Sequence, residues 1–169
     1  MATCISHSPA ETAALGERWG RAAGNGLVIG LSGDLGAGKT QFVKGVARGL
    51  GIAARVHSPT FALVNIYSSG RLTLFHLDLY RLDTREQMAA AGLEEYLKPA
   101  GVTVIEWAER WFGQVPQGRA RSPLRAAEVG RTALASGWRA GDCAPCLVWV
   151  QIDVLNETER RISYEDPGP

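Results

Sequence analysis

Cysteine is scarce, and its number is odd: Cys4, Cys143 and Cys146 cannot build a disulfide framework. Cys143 and Cys146 share a C-x-x-C spacing, but no second pair completes a four-ligand zinc site, and His7, His57 and His76 are scattered singly. The pair is read as two incidental thiols in a surface segment. An excess of charge of one sign is missing as well. At a net charge of +1 the chain lacks the basic footprint of a stand-alone nucleic-acid binder, which argues against tight RNA binding by this chain alone but not against contact within a complex. Long hydrophobic runs are also absent. Residues 27–31 and 102–105 are far too short to span a bilayer, and no basic stretch followed by an apolar one opens the chain. The expected location is the cytoplasm, with no membrane contact. Internal repeats are not found.

What is present is an ordinary globular composition, 46% hydrophobic and 21% charged over 169 residues, enough for one domain with a substantial core. Ser8-Pro9-Ala10-Glu11 reads as a helix start, with Ser8 as cap, Pro9 at the first helical position and Glu11 closing a capping box. Ala13, Leu15, Trp19 and Ala22 continue one face until Gly24-Asn25-Gly26. Leu27-Val28-Ile29-Gly30-Leu31 is continuously apolar, as a strand buried on both faces would be. A second helix is expected over 41–50, strands over 60–67 and 72–79 joined by a turn at 68–71, and a helix over 84–97 that Gly92 can interrupt. A buried strand at 102–105 and two final strands at 147–154 and 160–164 complete the pattern. The stretch at about 116–145 differs: it is rich in Arg, interrupted by Gly and Pro, and allows one short helix over 124–134.

Between the apolar strand and the second helix lies Gly33-Asp34-Leu35-Gly36-Ala37-Gly38-Lys39-Thr40, which satisfies G-x-x-x-x-G-K-S/T in full. The glycines let consecutive backbone N–H groups turn inward around phosphates without side chains in the way. The helix that follows presents its partly positive end to an anion. Lys39 can reach β- and γ-phosphates, and the Thr40 hydroxyl is placed to ligate Mg²⁺, so ATP with Mg²⁺ is the expected ligand. Such a loop needs an acid for the cation and a group to orient water. Asp78 and Glu106 each follow an apolar strand, where ligands of open α/β sheets lie, and spacing alone does not assign their roles. His57-Ser58-Pro59-Thr60 precedes a strand, and from the residues alone it reads as a simple lead into that strand.

In the order and at the separations seen here, four pieces resemble the TsaE (YjeE) family of bacterial ATPases. They are the glycine-rich loop, Ser58-Pro59-Thr60-Phe61 with Leu63-Val64, His76-Leu77-Asp78-Leu79-Tyr80-Arg81-Leu82, and Ile105-Glu106-Trp107. The likeness runs from about residue 8 to residue 107. It implies a role in forming N6-threonylcarbamoyladenosine (t6A) at position 37 of tRNAs reading codons that begin with A. It also implies ATP hydrolysis at the β–γ bond, weak without partners, coupled to the partners TsaB and TsaD, with tRNA met only through that complex. By position, the resemblance gives Thr40 and Glu106 as Mg²⁺ ligands, Lys39 as phosphate clamp and Asp78 as the acid that orients water or a metal-bound water. Ser58 and Thr60 fall in a switch-like loop, Trp107 beside the nucleotide, and Thr12 near the adenine.

The expected fold is therefore α/β and P-loop NTPase-like: a single small domain over 1–169 with a central, mainly parallel sheet, flanking helices and an antiparallel hairpin. The Arg-rich stretch at about 116–145 looks like an insertion; without a dense basic tract or interleaved aromatics it reads as a surface loop. Beyond Trp107 the match is thin, which leaves a residue such as Arg161 unassigned. Two other functions compete: a small-molecule kinase using the Arg-rich stretch as a lid, and an ATP-binding adaptor without turnover. A GTPase is disfavoured because the chain contains no N-K-x-D.

Overall fold

The computed structural model describes residues 2–113 and 146–164. In chain order the elements are β1 (Ala2–Ser6), α1 (Pro9–Ala22), β2 (Leu27–Ser32), α2 (Lys39–Gly49), β3 (Val64–Tyr67), β4 (Leu74–Asp78), α3 (Arg85–Ala90), a 3₁₀ segment (Leu93–Leu97), β5 (Val102–Glu106), α4 (Glu109–Phe112), β6 (Cys146–Val154) and β7 (Arg160–Tyr164). The strands form one seven-stranded sheet in the order β1-β7-β6-β2-β5-β4-β3. At its centre β2 runs parallel to β5 and β6, and β4 runs parallel to β5. Antiparallel pairs β3–β4 and β6–β7 flank this centre, and β1 adds to the β7 edge. The expected architecture is the observed one. The Arg-rich stretch at 116–145, with its Cys143 and its expected short helix, lies outside the described residues. Among the described residues no helix is long and apolar enough to cross a membrane.

The apolar run of β2 is buried along its whole length because helices cover both of its faces. Alternation then sorts side chains. Ile29, Leu31, Leu74, Val102 and Val104 pack towards α1 and α2. Val28, Leu77 and Ile105 pack on the opposite face with Met88, Leu93, Leu97 and Trp111. Two and four steps on from Leu74, and two from Val104, the same alternation carries His76, Asp78 and Glu106 onto the α2 face, at or near the carboxyl ends of their strands.

Helices α1 and α2 meet backbone to backbone through glycines. A Cβ on Gly16 would stand 2.2 Å from the Phe42 carbonyl oxygen, and one on Gly45 only 1.9 Å from that of Ala13. Gly20 and Gly49 make matching approaches to Val46 and Glu17 at 2.2 Å. At the far end of α1, Arg71 Nη2 donates to the carbonyls of Gly20, Arg21 and Ala23 at 2.6, 3.0 and 2.7 Å, satisfying acceptors the helix itself leaves open. Arg71→Ala is expected to cost about 1 kcal/mol, since the contact is charge-assisted but exposed. For a chain of this size that lowers Tm by roughly 2–4 °C, which differential scanning calorimetry would resolve.

Three differences from the expected elements have local causes. The strand expected from residue 60 starts only at Val64, because residues 60–63 turn: Leu63 N–H donates to Pro59 O at 2.6 Å, and Leu63 has φ 65°. The helix expected over 84–97 ends at Ala90. Its Thr84–Gln87 capping box is present, but Gly92 at φ 69° turns the chain left-handed into the 3₁₀ segment. Strand β1 was not expected. It alternates with the polar Ser6 inward and Ile5 outward, the reverse of the usual polarity signal.

Candidate functional site

The glycine-rich loop leaves β2 at Gly33 and enters α2 at Lys39. Gly33 has φ 135°, and a Cβ there would lie 2.2 Å from the Ile152 carbonyl of β6, so both conformation and space require glycine. Gly36 and Gly38 are also left-handed, at φ 77° and 107°, and no side chain caps the first turn of α2. The orphan N–H groups of that turn therefore line the cleft, as an anion site requires.

Lys39 is buried, and its Nζ donates to the carbonyls of Gly33 and Asp34 at 2.6 and 2.9 Å. It also lies 3.7 Å from the centroid of the Trp107 ring. Burial holds this ammonium below the ordinary lysine value, against the pull of Glu106, Glu109, Asp78 and Asp34. Trp107 reaches over Lys39 because it adopts φ 61°, a left-handed conformation that is strained for a bulky residue. Tyr80 packs against the same ring, with centroids 5.1 Å apart.

The two acids stand side by side, Asp78 opposite Glu106 in the parallel register of β4 and β5, and they engage different partners. Thr40 Oγ1 donates to Glu106 Oε1 at 2.8 Å and Oε2 at 3.2 Å. A hydroxyl beside a carboxylate is the hard-oxygen pair that Mg²⁺ prefers when phosphates and water supply the remaining ligands. Asp78 Oδ2 accepts from Ser58 Oγ and Thr60 Oγ1 at 2.5 and 2.6 Å, while Oδ1 accepts from the Tyr80 N–H at 2.9 Å. These bonds, with Asp78 N–H donating to Leu63 O at 3.0 Å, draw residues 58–63 over the end of β4 and cut β3 short.

One cleft of about 550 Å³ joins Leu35–Gln41 of the loop with Thr12, Ser58, Thr60, Asp78, Glu106 and Trp107. Thr12 borders it, but its hydroxyl pairs with Ser6 Oγ at 2.8 Å, leaving its methyl 3.8 Å from where a Cβ on Gly38 would stand. Gly33 and Asp34 form the loop's first turn, their carbonyls held by Lys39 as described. The sequence reading missed the opposite wall: His7, Glu157, Thr158 and Arg160, where the β6–β7 turn meets the start of α1 through a His7–Glu159 contact of 3.0 Å. No local pattern marks that pairing, which joins residues 152 positions apart. His76 was legible in principle, since period-two alternation from Asp78 places it on the same face.

Glu109 was also missed. It opens α4, its Oε2 is buried without a hydrogen-bond partner among the described residues, and burial pushes its carboxyl above the ordinary glutamate value. A raised folded pKa means the charged form destabilises the fold as pH rises through and beyond the unfolded value. Glu109→Gln is therefore expected to raise Tm near neutral pH, with the advantage shrinking below the ordinary glutamate range. Paired melts of the two proteins across pH would check this.

Residues 6–133 match the profile of the family described as "Threonylcarbamoyl adenosine biosynthesis protein TsaE". The chain is 47% identical over 114 residues to the tRNA threonylcarbamoyladenosine biosynthesis protein TsaE of Treponema pallidum (strain Nichols), covering 68% of this chain and 84% of the relative. It is 42% identical over 120 residues to the protein of that name from Bacillus subtilis (strain 168), covering 71% and 75%. Among solved structures it is similar to Bacillus subtilis YdiB, with a TM-score of 0.67, 31% identity and coverage of 99% of this chain and 86% of that one.

Proposed function

Because the chain belongs to the TsaE family, we propose that it binds ATP with Mg²⁺ and hydrolyses the β–γ bond in support of t6A formation on tRNA, acting with TsaB and TsaD and meeting tRNA through them. The observation that carries this reading is the meeting of Lys39, Thr40, Glu106 and Asp78 in one cleft, from two strand ends and a helix start that are far apart in sequence. Lys39 and the open N–H groups of α2 hold phosphate oxygens. Thr40 and Glu106 are the side chains that would hold the cation, whose chemistry is to neutralise charge on those oxygens. Asp78, fixed by Ser58, Thr60 and the Tyr80 N–H, accepts a hydrogen bond from the attacking water. Trp107 and Tyr80 wall one side and help exclude bulk solvent.

The test is phosphate release from ATP by the purified chain, with and without TsaB and TsaD. Release that rises with the partners and falls by about 10²–10³ in Glu106→Ala is expected, the size typical of losing stabilisation of transition-state charge, here that of the cation Glu106 would hold. ATP bound in the presence of both partners without any phosphate released would favour the adaptor. Label found on a small-molecule acceptor would favour the kinase.

A further inference from the structure

His76 lies in β4 with no exposed surface. On that face of the sheet Leu74 lies two residues back and Asp78 two residues on, with Val104 opposite it in β5 and Asn65 opposite it in β3. Nε2 stands 2.8 Å from Glu106 Oε1, the same oxygen that takes the shorter of the two Thr40 bonds. A carboxylate oxygen accepts, so the hydrogen bond runs from Nε2–H to Oε1. Nδ1 is buried and has no partner among the described residues. A residue kept for packing alone would gain nothing from this arrangement, because leucine would fill the strand without orphaning a polar atom.

We infer that His76 is a positioning residue for Glu106. Its Nε2–H fixes the carboxylate in the orientation that brings Oε1 to Thr40. Oε2 then has, among the described residues, only the longer 3.2 Å contact with Thr40, which leaves it lone pairs for a cation. The arrangement is that of metal sites in which an outer hydrogen bond orients a ligand, where losing the outer partner costs roughly 10–100-fold in metal affinity. The inference rests on the reading of Thr40 and Glu106 as a Mg²⁺ pair.

The experiment is equilibrium binding of a fluorescent ATP analogue, titrated with Mg²⁺ and repeated in EDTA, for wild type, His76→Leu, His76→Gln, Glu106→Ala and His76→Leu combined with Glu106→Ala. His76→Leu is expected to raise the Mg²⁺ midpoint by about 10-fold or more while leaving affinity in EDTA unchanged. His76→Gln, whose amide can still donate to Glu106, is expected to stay near wild type. In the Glu106→Ala background the leucine should add nothing. A wild-type midpoint in His76→Leu would overturn the inference. So would loss of affinity in EDTA by the leucine and glutamine variants alike, since that marks general damage to the cleft. Should His76→Leu fail to fold, His76→Asn, whose amide is too short to reach Glu106, takes its place in the same titrations. Binding by wild type that ignores Mg²⁺ altogether would overturn the Mg²⁺ reading itself, a result separable from the others.

Discussion

Lys39→Ala is expected to weaken ATP binding by roughly 10–100-fold, the worth of a charge-assisted contact, and to lower partner-dependent phosphate release by a further factor of about 10² or more. The fold should survive. Lys39 spans the loop from Gly33 O and Asp34 O to the Trp107 ring, and burial disfavours its charge. Deleting it relieves that penalty and leaves two carbonyls at the edge of a cleft that water can reach. Tm is therefore expected to hold or rise slightly while function collapses. Lys39→Arg should not rescue, because a planar guanidinium is too broad for a place between two carbonyls and an indole face. Calorimetry with ATP, phosphate release and a thermal melt on the same preparation give the three readouts. Near-normal release by Lys39→Ala would remove Lys39 from the site, whereas a large fall in Tm would mean that its role is structural.

That expectation could be framed from the sequence alone because the loop's information is local: eight consecutive residues, flanked by a short apolar run that reads as a buried strand and by a periodic helix. The two acids were legible for a related reason. Each ends an apolar strand, and strand ends are where an open α/β sheet presents its chemistry. The roles of Ser58 and Thr60 were not legible in local pattern. Their meaning lies in hydrogen bonds to Asp78, 20 and 18 residues away, and the same bonds end β3 early at Val64. Family resemblance singled out the two residues as part of a switch-like loop, without their bonds to Asp78. The β6–β7 wall of the cleft escaped both approaches. Glu157 and Thr158 sit in a polar turn of ordinary composition and Arg160 opens β7, and they face the loop only because β1 and β7 pair and bring residue 7 to residue 159. Trp107 shows the opposite case. Its position next to Glu106 was plain, but its left-handed backbone, which lays the ring over Lys39, leaves no trace in composition.

Gly45→Ala is expected to be the most damaging single methyl in the described chain. In an isolated helix the change would stabilise by about 1 kcal/mol, because alanine loses less backbone freedom than glycine. Here the new Cβ would stand 1.9 Å from Ala13 O and 2.8 Å from Glu17 N. Both are backbone atoms of α1, so no rotamer change relieves the contact and the helices must separate. Overpacking in a closed core costs about 1–3 kcal/mol and occasionally more. Backbone against backbone belongs at the top of that range, which still leaves a net loss of roughly 2 kcal/mol after the propensity gain. Tm should then fall by roughly 4–8 °C for a chain of this length. The damage should not stop at stability. α2 carries Lys39 and Thr40 in its first turn, and α1 holds Thr12 against Gly38. Displacing α2 from α1 therefore moves the phosphate loop relative to Glu106, and a shift of about 1 Å at such a site can cost 10²-fold in rate. Gly24→Ala is the control, since no atom lies within 4 Å of its added methyl. It should melt and turn over like wild type. If Gly45→Ala and Gly24→Ala melt together, the close approach of α1 and α2 is not what sets the loop in place; if Gly45→Ala loses Tm and nucleotide affinity together, it is.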